Sequence, residues 1–461
     1  MTMPSNSRAG RQRRNSQAPQ GAIFQCTLKR NPAISALGGR ERFARGLYGC
    51  TEMLVDGYLD LIRSGVLKRA VYPHAALQRV LDAGEADARG GVELLAALAR
   101  QGLGQLTGQD FAGLNRAGLF LPGTRFNAGA IVIPGGERVP ADLGDAALRA
   151  RLASALAPAL NNGTLLHAGF FLGPRGFYAA LRDLSPSLRP QLAMTSTGFT
   201  NQLYGGDLEL KVAQRRHARF INTTMMVTAL GAAVSDALAD GRVVSGVGGQ
   251  YNFVAMAHEL PDGHSVLAVK STRAKAGTVT SNVLWSYGHA TIPRHLRDVV
   301  VTEYGVARLR GATDRECVVA LLAITDSRFQ GALIRAAQSA GKLERSYRLP
   351  DQFRSNCPER LTAALRPLRA RGLFTEFPFG SDFTAEETDL VRALSRLEHE
   401  TANWRGRLAT LLRALSQPLD RASYGPHLKR MQLDRPSGWR ERLDAHLVSY
   451  ALRRSALARS T

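Results

Sequence analysis

Apolar positions along the chain follow two periods. Between residues 51 and 62, Leu54, Tyr58, Leu61 and Ile62 fall at helical spacing, and Gly65 stands where a helix would be capped. Residues 91–103 predict a second amphipathic helix, closed by Gly102 and Gly104. Residues 105–140 break into short apolar runs between Gly, Pro and Asn, which predicts short strands and turns. A helix over 146–160 and a buried strand over 165–172 follow. Beyond them strands and helices alternate: a strand-like run at 219–227, a short helix or turn at 230–238, and a strand at 242–244 entering a glycine-rich loop. Strands at 266–269 and 299–302 and helices at 318–324 and 330–339 complete this part. Such alternation predicts an α/β fold with an open sheet flanked by helices. After Pro350 the pattern turns wholly helical, over 358–372, 384–400, 403–415 and 438–459.

Residues 1–35 show neither period. They are polar and basic, with Arg8, Arg11, Arg13 and Arg14, and predict a structureless leader rather than a secretory signal. The expected organisation is a leader over 1–35, an α/β domain over 36–345 and an α-helical C-terminal extension over 346–461. No internal repeat is present.

Composition narrows the function. The formal net charge is +22, which raises nucleic acid as a partner. The excess is arginine, spread over helix faces, and no RNP-like aromatics, zinc finger or helix-turn-helix accompany it. No apolar run reaches the length of a membrane span. The four cysteines, Cys26, Cys50, Cys317 and Cys357, form no CxxC pair and predict free thiols in a cytoplasmic protein. The histidines show no paired ligand spacing, so no metal site is expected.

The most informative loop is Ser245-Gly246-Val247-Gly248-Gly249-Gln250-Tyr251-Asn252-Phe253, with three glycines in four positions. Glycine lets backbone N–H groups approach a ligand, so this loop can cradle phosphate or supply an oxyanion hole. It also fits a tight turn into a helix. The dinucleotide fingerprint fails, because Tyr251 stands where it needs glycine, and the GK[ST] ending of a Walker loop is absent.

This loop, with Ser271-Thr272, Ser281-Asn282, Thr291-Ile292-Pro293-Arg294 and the run from Val300 to Gly311 (VVTEYGVARLRG), resembles the C-terminal half of the acetyl-CoA hydrolase/transferase family. Upstream, Leu47-Tyr48-Gly49-Cys50-Thr51-Glu52-Met53 is similar to the family segment whose Thr-Glu-Met carries the catalytic glutamate. The resemblance implies a CoA-transferase-like sheet with Glu52 as nucleophile. It implies Gly246, Gly248 and Gly249, with Gln250 and Asn201, as the oxyanion and CoA-binding set. Coenzyme A would be a substrate, with no permanently bound cofactor. The implied reaction is transfer of CoA from a short-chain acyl-CoA of the acetate or propionate type to a carboxylate, through a glutamyl-CoA thioester. Hydrolysis of acetyl-CoA is the alternative, as is a non-catalytic domain. A homodimer, or a separate subunit supplying the family's N-terminal half, is the implied partner, since residues 1–35 do not resemble that half. Glu303, in Thr302-Glu303-Tyr304-Gly305, is the rival carboxylate and is expected to be structural. Tyr251 and Tyr304 are expected to pack, and His258, His264, His289 and His295 to lie in loops or at the surface.

Overall fold

The computed structural model describes residues 21–25, 46–275, 277–375, 377 and 380–457, with the backbone alone for 21–25. Its centre is an eight-stranded sheet. In chain order the strands are β1 (Gly21–Gln25), β2 (Leu47–Leu54), β3 (Leu166–Phe171), β4 (Leu192–Met194), β5 (Arg219–Thr223), β6 (His264–Ala268), β7 (Val299–Thr302) and β8 (Gly305–Arg308). Across the sheet they run β8-β7-β6-β5-β1-β2-β3-β4, all parallel except the β7–β8 pair. The chain winds outward from β1 to one edge, returns to the centre, and winds outward from β5 to the other. In an open α/β sheet the crevice at such a reversal, outside the carboxyl ends of the strands, is where ligands bind.

Several sequence expectations change here. Residues 51–54 belong to strand β2, and the helix begins only at Asp56 (Asp56–Arg63). β2 lies inside a parallel sheet, and its residues from Leu47 to Thr51 are all buried, so its apolar residues run on continuously instead of alternating. Residues 21–25 form the central strand β1, not part of a structureless leader; the rest of that leader lies outside the described residues. The strand expected at 242–244 is a loop, with Val243 75% and Val244 51% exposed. The helix expected over 146–160 ends at Leu152 and tightens into a 3₁₀ turn, Ala153–Ala155. Helices Gly108–Arg116 and Arg421–Arg430 were not expected.

Helix ends follow side-chain capping. Thr107 with Asp110, Thr313 with Glu316 and Thr384 with Glu387 each form a reciprocal capping box. Each satisfies two otherwise orphaned N–H groups and contributes about 1 kcal/mol. Separate cores hold the pieces. Leu77, Leu94, Leu98 and Leu114 centre one beside the sheet, Val318, Leu321 and Leu322 another behind β7 and β8, and Leu428, Ala445 and Leu452 a third among the C-terminal helices.

Two buried ionic clusters fix the sheet's surroundings. Arg69 pairs with Asp82 at 2.6 Å and donates to the carbonyl of Gln214 at 2.9 Å. Asp298, 5% exposed, accepts from the Ser265 N–H at 2.8 Å and pairs with Arg310 at 2.7 Å, tying the start of β6 to the segment after β8. Asp298→Ala removes both acceptors and is expected to cost about 2 kcal/mol, discounted because Arg310 reaches solvent. The check is the urea midpoint at constant m-value; an unmoved midpoint would show that the cluster carries no stability.

Candidate active site

Glu52 sits near the carboxyl end of β2, on the strand face shared with buried Cys50. Its Oε2 accepts a hydrogen bond from the Gly249 N–H at 3.1 Å. Gly249 is the residue immediately before helix Gln250–Glu259. The glutamate therefore faces a helix N-terminus, where unpaired N–H groups and the backbone dipole favour negative charge. Gly248 takes φ +57°, a left-handed conformation that glycine accepts at little cost, and this turn aims the next N–H at the carboxylate.

Asn201 completes the cluster. A Cβ placed on Gly249 would lie 2.7 Å from Asn201 Nδ2 and 2.8 Å from Glu52 Oε2. Both side chains thus rest against a bare Cα, and three segments distant in sequence meet at one point. Asn201 is oriented from behind, its Oδ1 accepting from Thr200 Oγ1 at 2.9 Å. Of the sequence-predicted set, Glu52, Gly248, Gly249 and Asn201 are brought together. Gly246 stands apart in open space. Gln250 is buried, and its Nε2 donates to the Thr223 carbonyl at 3.1 Å, so its amide ties the helix to the end of β5.

A buried polar layer underlies the site. Arg215 is fully buried, donates to the carbonyls of Phe199 and Gln202 on either side of Asn201, and lies 2.7 Å from Met256 Sδ. Lys211 donates to the same Gln202 carbonyl at 2.9 Å. The Tyr48 hydroxyl meets His167 Nδ1 at 2.7 Å, and the imidazole packs on Phe199. Burial raises the pKa values of the Tyr48 phenol and the Cys50 thiol, keeping both neutral.

Burial, and then the nearby Arg215 charge, hold His167 down at about 4 from its ordinary 6.5. As pH falls through that window the unfolded chain takes up the proton first. The stabilising effect is therefore complete above 6.5 and is lost as pH falls toward 4, by at most about 1.4 kcal/mol per pH unit. His167→Gln, whose amide can still meet the Tyr48 hydroxyl, is expected to flatten the decline of Tm with acid over that range. Parallel wild-type and variant curves would exclude this origin.

A match to known proteins falls on this same region. Residues 173–337 match the family model for the acetyl-CoA hydrolase/transferase C-terminal domain. A "Probable butyrate:acetyl-CoA coenzyme A-transferase" of Syntrophomonas wolfei is 31% identical over 172 residues, 37% of this chain and 36% of that protein. A 4-hydroxybutyrate coenzyme A transferase of Clostridium kluyveri is 29% identical over 180 residues, 38% of this chain and 39% of that protein. The chain thus matches little more than a third of the length of these relatives. Among solved structures, 4-hydroxybutyrate CoA-transferase from Porphyromonas gingivalis is 19% identical, covering 69% of this chain and 51% of that one, with a TM-score of 0.37.

The matched region, residues 173–337, contributes Asn201 and the glycine loop; Glu52 lies upstream of it and reaches the site through β2. The same region also forms the wall of a cavity of about 1010 Å³ at the carboxyl ends of β5, β6 and β7. Lys270, Arg273 and Lys275 line it, with Asn282 and Glu303. These three cations were not singled out from the sequence. The signal was available, because Arg273 and Lys275 alternate on one face of strand Thr272–Lys275. Glu52 is not on this wall. The two places meet at Thr223, which lines the cavity and accepts from Gln250. Glu303 lies elsewhere than Glu52, its Oε2 accepting from the Ser271 N–H at 2.9 Å. Tyr304 donates to Asp326, and Tyr251 is exposed. Among the described residues no group of three or more His, Cys, Asp or Glu side chains could hold a metal ion, and no helix is long and apolar enough to cross a membrane.

Proposed function

We propose that this chain carries the nucleophilic glutamate of an acyl-CoA:carboxylate CoA-transferase acting on short-chain acyl-CoA of the acetate or propionate type. The observation that carries this reading is the Glu52 carboxylate, held by the Gly249 N–H at 3.1 Å at the start of a helix. The named activities of the relatives support it.

The carboxylate attacks the thioester carbonyl of the acyl-CoA. The developing oxyanion needs donors beside the nucleophile, and the Gly248–Gly249 backbone and the Asn201 amide supply them. Collapse expels CoA thiolate and leaves a mixed anhydride between the acyl group and Glu52. The thiolate returns to the glutamyl carbonyl, forming a glutamyl-CoA thioester and releasing the first carboxylate. An acceptor carboxylate attacks that thioester, a second anhydride forms, and thiolate attack on its acyl carbonyl yields the new acyl-CoA and regenerates Glu52. Thioester energy is conserved throughout, so each step balances with no external energy source. Lys270, Arg273 and Lys275 offer the cavity's positive charge to the phosphates of coenzyme A.

The test is incubation of purified protein with acetyl-CoA and isotopically labelled propionate, alone and with a supplied N-terminal half of a relative. Labelled propionyl-CoA is the expected product. Free CoA without propionyl-CoA would assign hydrolysis, and no turnover in either arm would overturn the enzymatic reading.

A further inference from the structure

A second cavity, of about 470 Å³, lies away from the glutamate between helix Ser327–Ser339 and the segment that follows it to Arg354. Its wall carries Arg335, Arg345, Arg348 and Arg354 and no carboxylate. Arg354 is paired with Asp351 at 2.8 Å. The other three have no carboxylate partner within 4.0 Å among the described residues; Arg348 donates only to backbone carbonyls. Guanidinium groups gathered this way repel one another, and an anion among them reverses the sign of that interaction.

The helix itself makes the room. Ile334, Arg335 and Gln338 share a face with Gly331, which stands in the helix middle where glycine costs about 1 kcal/mol relative to alanine. Gly331 contributes no side chain to the cavity, and a Cβ placed on it would lie 3.6 Å from Arg335 Nη1. Two hydroxyls at the wall, Ser327 Oγ and Tyr347 Oη, are enclosed without a hydrogen-bond partner. Ile334 and Leu349 add an apolar surface. The volume lies within the range of small-molecule sites.

We infer that this cavity binds a phosphorylated metabolite of about mononucleotide size, at a site separate from acyl transfer. Forked guanidinium donors match phosphoryl oxygens two at a time, and the apolar surface suits a flat ring. The cavity shares no lining residue with the one at the carboxyl ends of β5, β6 and β7.

The test is calorimetric titration of the full chain with inorganic pyrophosphate and with ADP, at about 0.15 M salt to screen diffuse attraction. Saturable binding is expected. Arg335→Ser with Arg348→Ser should weaken it about tenfold or more. Gly331→Met fills the cavity and should abolish binding while favouring the helix, so its effect cannot be attributed to unfolding. Lys275→Ser, in the other cavity, should leave it unchanged. Equal affinity for both probes assigns recognition to phosphate alone; tighter ADP binding adds the ring. Absence of saturable heat with both probes overturns the proposal, as does heat that survives the arginine and Gly331 variants or disappears with Lys275→Ser. Binding is read without turnover, so failure here is distinct from failure of the acyl-transfer reading.

Discussion

If Glu52 is the proposed nucleophile, Glu52→Gln is expected to lower acyl exchange by at least about 1,000-fold, because it turns the nucleophilic carboxylate into a non-nucleophilic amide. The amide is nearly isosteric with the carboxylate, and its oxygen still accepts from the Gly249 N–H, so the loop and helix Gln250–Glu259 keep their anchor. What disappears is nucleophilicity, not the site. Thermal unfolding should therefore shift little while turnover is lost. A second measurement makes the assignment specific. Wild-type protein mixed with acetyl-CoA and quenched should show coenzyme A joined to the peptide that contains residue 52, and the variant should not. Exchange at the wild-type rate in the variant would move the nucleophile elsewhere. Glu303 would then be the carboxylate to examine, since it lines the larger cavity.

The parts of this site that could be read from the sequence are those whose chemistry is local. Gly248 and Gly249 announce a turn with inward N–H groups, and the structure shows one such N–H on a carboxylate. The helix start at Ala385 was legible to within a residue, whereas the helix expected at 318–324 begins four residues earlier, at Asp314, where the Thr313–Glu316 capping box starts it. Strand β2 was not legible. Leu54, Tyr58 and Leu61 satisfy helical spacing, and only its two parallel neighbours make 47–54 extended. Helix Arg421–Arg430 was hidden by Gly425 and Pro426, which read as a loop until the packing of Leu428 fixes it. The same limit governs function. Gln250 next to a glycine loop looks like a ligand contact, and the fold shows one of its amide N–H groups donating to the Thr223 carbonyl. Arg215 gave no signal at all, because holding the backbone on both sides of Asn201 is a relation between residues that the chain order does not display.

Gly249→Ala is the sharpest steric test of the arrangement. At φ −80° and ψ 2° residue 249 already has a conformation that alanine accepts, so backbone strain is not the issue. The added methyl carbon would sit 2.8 Å from Glu52 Oε2 and 2.7 Å from Asn201 Nδ2. One or both side chains must move by several tenths of an ångström, which under the proposed mechanism takes the carboxylate off its aim at the thioester. A displacement of this kind costs about 100-fold in rate, comparable to loss of one oxyanion donor. Stability should fall by less than about 1 kcal/mol, the difference between glycine and alanine at a helix cap. Gly246→Ala, two residues outside the cluster, is the matched control. Nothing lies within 4 Å of its added carbon, so turnover should be retained within about twofold. Equal losses in both variants would mean that the loop acts through flexibility and not through contact. Full activity in Gly249→Ala would show that Glu52 and Asn201 do not work against this residue, and the constellation would have to be redrawn around a different donor.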